Sequence, residues 1–268
     1  MADRPDTSRS GPRVAVETAD GVARIALDSP HNRNALSERL VRELHEAIAA
    51  AEADESVRVI VLTHTGSTFC AGADLGEASS GSGSDGARAR ADQLVDLLDR
   101  IVGCALPVVG RIDGHVRAGG MGLVTACDIA LAGPRSTFAL TESRLGLAAS
   151  VVSLTVLPRL SDRDAYRLLL TGETVDATEA ARIGLVTEAA ADVDDALAAL
   201  LAALRRCSPQ GLRETKALLT HGMRAGIAAN RDRVAAQSAR LFESEEAREG
   251  MTAFLERRPP RWAAEGSP

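Results

Sequence analysis

Aromatic side chains are scarce in this chain: four Phe, one Tyr and one Trp make up 2% of its 268 residues. A surface that stacks nucleic-acid bases needs such rings in number, so no nucleic-acid partner is expected. Lysine occurs once, as Lys216, and no GxxxxGK run precedes it. That excludes a P-loop and leaves one candidate for Schiff-base chemistry. The four cysteines (Cys70, Cys104, Cys127 and Cys207) form no CxxC pair and read as free thiols in a reducing compartment. No HExxH motif or paired Cys/His spacing is present, so no metal site is expected. The longest strongly apolar run, ALAALLAAL at 196–204, is far too short to cross a bilayer. The polar opening MADRPDTSRSGPR reads as a disordered lead-in over residues 1–12 rather than a signal peptide. A net charge of −6 supplies no field that would recruit nucleic acid or an anionic membrane. The expectation is a cytoplasmic protein with no membrane partner.

What is present is an ample apolar fraction, 45%, enough for one medium domain with at most a small appendage. VAVET and VARIAL flank an Asp20-Gly21 turn and predict a hairpin over 14–27. Leu40, Leu44 and Ile48 recur every four residues with Ser37 as N-cap, which predicts a helix to about Asp54. VRVIVLT at 57–63 is short, continuous and β-branched, as a buried parallel strand is. Leu94, Leu97, Leu98 and Ile101 mark a helix face, and Pro107 opens the strand PVVGRI. Strands alternating with helices give an α/β fold. From about residue 150 onward β signals nearly vanish. SVVSLTVLPRL, SDRDAYRLLL, TEAARIGL, DDALAALLAALRRC, PQGLRETKALL, NRDRVAAQSARLF and EEAREGMTAFLERRP all read as helices. GSGSDG at 81–86 matches the dinucleotide fingerprint GxGxxG but follows no strand, so a flexible surface loop is expected there.

Chemistry concentrates in two segments, each a buried strand followed by a glycine-rich bend toward a helix. They are VIVLT with HTGSTFCAGADL, and PVVGRIDG with HVRAGGMGL. Either leaves backbone N–H groups free near a helix start, where negative charge is stabilised. Two such groups converging on one oxygen form an oxyanion hole; close helix–strand packing is the alternative use of the same glycines. His64 has no carboxylate or cysteine nearby for a triad, and Asp113 with Gly114 reads as a turn.

The motifs NRNAL (32–36), STFCAGADL (67–75), DG…GG.GL…CDIALA (113–132), FALTESRLGL (138–147), LTGETVDATEAARIGLV (170–186) and AFLERRP (253–259) occur in family-like order over nearly the whole chain. Together they resemble the enoyl-CoA hydratase/isomerase (crotonase) superfamily. The resemblance implies a spiral of repeated ββα units over 13–195 that binds acyl-CoA. It further implies a helical C-terminal region over 196–268 used in trimerisation, giving a homotrimer or a dimer of trimers. The oxyanion hole would be the N–H groups of Ala73 and Gly119, with no side chains at 118–120 large enough to obstruct the thioester. Glu142 would be a general acid/base, its pKa raised among Leu140, Leu145 and Leu147. The alternative use of Glu142 is a helix-start glutamate with Thr141 as cap. Family hydratases have a second glutamate where this chain has Gly122. A single glutamate is also the arrangement of family Δ3-Δ2 isomerases. Hydration of a trans-2-enoyl-CoA, isomerisation, and acyl-CoA binding with little turnover therefore all remain open.

By the same resemblance, the CoA moiety would contact the main chain from Ala71 through Gly76, with Ala71, Asp74, Leu75 and Gly76 as its binding residues. Arg33 would add charge, and Phe254 and Arg257 match tail positions that reach the CoA of a neighbouring protomer in relatives. Coenzyme A comes with the substrate, so no separate cofactor is implied. Val151, Val152 and Leu154 would line the acyl pocket, which Ser150 and Ser153 reshape. His115 and Arg117, beside Gly119, are either acyl- or CoA-facing residues or inert surface ones.

Overall fold

The Asp20-Gly21 turn takes φ angles of 51° and 77°, the left-handed backbone that a two-residue hairpin requires. It joins β1 (Val14–Ala19) to β2 (Val22–Leu27), antiparallel from Val14↔Leu27 to Ala19↔Val22. The computed structural model describes residues 11–74, 76–77 and 83–263. Residues 1–10 of the expected lead-in therefore lie outside the described residues.

After the hairpin, Ser37 accepts from Leu40 N and caps α1 (Glu38–Ala53), which buries Leu40, Leu44 and Ile48 as the four-residue repeat predicts. The chain then makes three similar excursions. β3 (Val59–His64) leads to β4 (Thr68–Cys70) and α2 (Gly83–Gly103). β5 (Val108–Ile112) leads to β6 (His115–Arg117) and α3 (Gly119–Ala126). β7 (Ile129–Ala132) leads to β8 (Thr137–Ala139). In each, the first strand joins one sheet and the second strand another. The first sheet runs β1-β2-β3-β5-β7-β10 and the second β4-β6-β8-β9. These are turns of the spiral that the motif resemblance implies, and the shared strands β3, β5 and β7 are parallel.

The central strands β3, β5 and β7 of the first sheet are buried on both faces, which explains why VIVLT has no polar alternation. Ile60 and Leu62 join the main core, while Val59 and Val61 pack with Val109 and Leu131 under Val193 and Leu197 of α7 (Val193–Arg205). The main core runs between the two sheets and α1, α2 and α3, with Phe69 and Phe138 fully buried in it.

Past residue 150 the structure departs from the all-helical reading. Two short strands, β9 (Thr174–Asp176) and β10 (Glu188–Ala189), extend the second and first sheets. They are too short to establish a period, and pairing with β8 and β7 makes them strands. SVVSLTVLPRL yields only α4 (Ser153–Val156) and a 3₁₀ turn, followed by α5 (Asp162–Thr171) and α6 (Ala177–Arg182). PQGLRETKALL and NRDRVAAQSARLF belong to one 34-residue helix, α8 (Pro209–Phe242); α9 (Glu245–Leu255) and a 3₁₀ turn at Arg261–Ala263 follow it.

Lys216, the single lysine, lies buried on α8. Its Nζ donates to Leu106 O at 2.9 Å and Ile101 O at 3.2 Å and pairs with Asp128 Oδ2 at 2.8 Å. All three ammonium protons are used in fastening α8 to the end of α2, to Leu106 ahead of β5 and to Asp128 ahead of β7, so no Schiff-base role remains. The GSGSDG expectation also fails. Residues 83–86 form the first turn of α2, while 81–82 lie outside the described residues. Among the described residues no helix is long and apolar enough to cross a membrane.

Candidate active site

A cavity of about 390 Å³ opens where the bends after β4 and β6 meet the segment after β8. Both bends follow from backbone constraints. Gly72 takes φ +91°, and a Cβ there would stand 2.7 Å from Ala118 Cβ. Ala118 itself takes φ 45° and ψ −116°, a region of the map that costs a residue with a Cβ roughly 1–3 kcal/mol. That strained residue is the N-cap of α3 and supplies no side-chain cap.

The consequence is a set of uncommitted amides. Gly119 is the first residue of α3, and its N–H makes no hydrogen bond among the described residues. Ala73 pairs with Leu36 in an isolated parallel bridge, but the bond runs from Leu36 N to Gly72 O at 2.8 Å. The Ala73 N–H is likewise without an acceptor among the described residues. Ala73 and Gly119 both line the cavity, with Ala71 and Ala118 beside them.

The glycines play a different part from the one the sequence implies. A Cβ on Gly119 would meet Leu36 Cδ1 at 2.6 Å, and one on Gly120 would meet Cys70 Cβ at 2.7 Å. The missing side chains make room for neighbouring protein atoms and let α3 approach β4. Gly122 is enclosed as well: a Cβ there would stand 2.9 Å from Val152 Cγ1 and 3.3 Å from Leu98. The position that holds a second glutamate in family hydratases is here filled by apolar neighbours.

Glu142 opens a 3₁₀ turn, Glu142–Leu145, and lines the same cavity with Leu145 and Leu147. Thr141 precedes it but makes no side-chain cap. Burial pushes the Glu142 carboxyl up to about 7, only weakly opposed by a bond from its own backbone N–H. Its Oε2 is buried and has no hydrogen-bond partner, the only carboxylate oxygen in that condition among the described residues. A carboxyl with one unpartnered oxygen, titrating near neutrality on a cavity wall, suits proton transfer to a bound molecule. Leu140, expected beside it, is buried in the core instead and does not line the cavity.

Other expected residues divide cleanly. Arg33, Asp74 and Phe254 line the cavity, Phe254 while 57% exposed. Asp74 accepts from Asn32 Nδ2 and Gly76 N, both at 3.0 Å. Gly76 and Arg257 are exposed and lie outside the cavity, and Leu75 lies outside the described residues. Ser150, Val151 and Val152 line it, whereas Leu154 packs into the core and Ser153 donates to Ser150 O at 2.6 Å. Arg117 lines the cavity but His115 does not. Asp113 and Gly114 make the bend between β5 and β6, as expected, and the Asp113 carboxylate also pairs with Arg135 and holds the bend after β7. His64 Nε2 accepts from Asp113 N at 3.2 Å, a structural bond. Among the described residues no group of three or more His, Cys, Asp or Glu is placed to hold a metal ion.

A sequence model of the enoyl-CoA hydratase/isomerase family matches residues 17–265. The chain belongs to that family. Among solved structures, an enoyl-CoA hydratase from Mycobacterium avium superposes with a TM-score of 0.88 at 53% identity, covering 94% of this chain and 99% of that one. A Thermus thermophilus protein carrying an enoyl-CoA hydratase name is 34% identical over 245 residues, 90% of this chain and 97% of its own. The mouse mitochondrial enoyl-CoA hydratase domain-containing protein 2 is 31% identical over 250 residues, 90% of this chain and 84% of its own length. The crotonase superfamily and its mixed α/β fold with a helical C-terminal region, expected from the motifs, are thereby established, and the chain is an enzyme of this family.

Several residues that line this cavity escaped the sequence reading. Ala87, Ala91 and Leu94 of α2 form one wall, and Ser238 and Phe242 reach it from α8. The small residues Ala87 and Ala91, four apart and followed by Leu94, were the available signal. They mark a helix face that leaves room beside it.

Proposed function

We propose that the cavity binds an enoyl-CoA thioester and that Glu142 alone moves the protons. The thioester oxygen sits on the N–H groups of Ala73 and Gly119, which stabilise the enolate as charge develops on it. In hydration of a trans-2-enoyl-CoA, the Glu142 carboxylate takes a proton from water as the hydroxyl adds to C3, then returns that proton to C2. Arg33, Asp74, Ala71 and Phe254, all cavity-lining, would meet the CoA portion, and no further cofactor enters the chemistry. The bare Leu218 and Leu219 of α8, 80% and 79% exposed, support a homotrimer or dimer of trimers. The observation that carries the reading is the partnerless Glu142 Oε2 in a cavity that also holds two uncommitted amides.

Isomerisation is the second reading, favoured by the apolar enclosure of Gly122. A Δ3-Δ2 isomerase needs one base to take a proton at C2 and return it at C4, and this site has one. Two substrates test the pair. Loss of the conjugated-thioester absorbance of crotonyl-CoA reports hydration, and its appearance from trans-3-hexenoyl-CoA reports isomerisation. Neither change, with tight acyl-CoA binding retained, would refute turnover altogether.

A further inference from the structure

The cavity wall beside Gly119 carries a cation with no anion. Arg117, the last residue of β6, is half-buried there. Its Nη1 donates to Val116 O and Thr137 O, both at 2.8 Å, and its Nη2 donates to Thr137 Oγ1 at 2.9 Å. A guanidinium has five N–H groups, so Nε–H and one Nη2–H keep no acceptor among the described residues. Those two lie on one edge of the planar group, the edge that grips a carboxylate through two parallel bonds. No carboxylate stands within ion-pair distance of Arg117 among the described residues, although the comparably buried Arg100 and Arg111 pair with Glu52 and Asp194. Burial, with no charge opposing it, holds the Arg117 pKa below its ordinary range.

The nearby lining makes this arrangement costly. Leu94, Leu145 and Val151 present hydrocarbon to the same cavity, and a partly desolvated cation among apolar walls is unfavourable until an anion arrives. The CoA phosphates are the wrong anion. The pantetheine arm separates them from the thioester, whereas Arg117 precedes the proposed carbonyl-binding Gly119 by two residues.

We propose that Arg117 selects substrates whose acyl group carries a second carboxylate, which its free Nε/Nη2 edge holds. The assignment rests on the reading of the cavity as an acyl-CoA site. The test titrates the full-length protein calorimetrically with glutaryl-CoA and valeryl-CoA, saturated esters of equal chain length that cannot be hydrated. Both carry the same CoA, so its contribution cancels in their affinity ratio. The expected preference for glutaryl-CoA is about tenfold or more, the scale of a charge-assisted pair in a partly buried site. Arg117→Met brings the ratio close to one. Arg117→Gln does the same while keeping an amide donor for Thr137, which guards against a folding artefact. Equal affinities in the wild type, or a ratio that survives Arg117→Gln, overturn the assignment and leave the acyl-CoA reading standing. If neither ester binds, both fall together.

Discussion

Replacing Glu142 by glutamine is expected to strengthen the fold while removing turnover, and the strengthening has a defined pH window. Burial raises the carboxyl from its ordinary 4.5 to about 7 in the native state. Between those values the unfolded chain has released the proton and the native chain still holds it. Stability therefore falls as pH rises through the window. It is unaffected below 4.5, where both states are protonated, and fully reduced above 7. The gap between 4.5 and about 7 amounts to about 3 kcal/mol at 25 °C. Glu142→Gln has no proton to lose, so its stability relative to wild type is expected to improve by up to about 3 kcal/mol between pH 4 and pH 8. For a domain of this size that is about 6 °C or more in Tm. Thermal or urea unfolding of both proteins across that range reads it directly. Activity runs the opposite way: the ionised carboxylate is the base, so wild-type kcat/KM is expected to fall as pH drops through about 7. Stability curves for variant and wild type that stay parallel from pH 4 to pH 8 would refute the perturbed carboxyl. Undiminished activity in the variant would remove Glu142 from the mechanism.

Gly119→Pro deletes the amide proposed to hold the carbonyl, and turnover is expected to drop at least about a hundredfold. A Leu36→Ala background makes room for the ring, and acyl-CoA affinity measured alongside separates lost catalysis from lost binding. Gly122→Glu places a carboxylate against Val152 and Leu98, with an expected loss of about 3 kcal/mol or more in unfolding free energy and no gain in hydration. The double variant Gly122→Glu/Val152→Gly opens that space, and raised hydration of crotonyl-CoA in it would show that a second carboxylate was the missing part. Lys216→Met leaves Asp128 buried without its cation, an expected loss of about 3–5 kcal/mol. Asp128→Asn added to it recovers part of that, as urea unfolding would show.

The parts of the fold that were legible in the sequence are those that local chemistry decides. Asp20-Gly21 demands its hairpin, Ser37 caps α1, and Val59 to Thr63 can only be a strand buried on both faces. β9 and β10 were invisible because a three-residue and a two-residue strand hold no period; only their neighbours β8 and β7 make them strands. The start of α2 reads as a loop because glycine and serine resist helix formation locally, yet residues 83–86 form its first turn. At the site, Glu142, Ala73 and Gly119 could be singled out by motif, but the reason for glycine at 119 and 120 could not. Whether a missing Cβ makes room for a ligand or for Leu36 and Cys70 is a fact of three-dimensional packing.

The same contrast distinguishes structural polar groups from functional ones. Away from the cavity, Lys216 uses every proton, and Asp113 binds both the backbone and side chain of Arg135. At the cavity three local rules are broken side by side. Glu142 Oε2 has no donor, Arg117 has no anion, and Ala118 holds a backbone conformation that glycine would adopt without strain. Each departure destabilises the empty protein, and each lines a single cavity of about 390 Å³. Scattered over the surface they would be accidents of sequence. Gathered around two uncommitted amides, they are the features that a bound thioester, with its oxygen, its mobile proton and an acyl carboxylate, would satisfy together.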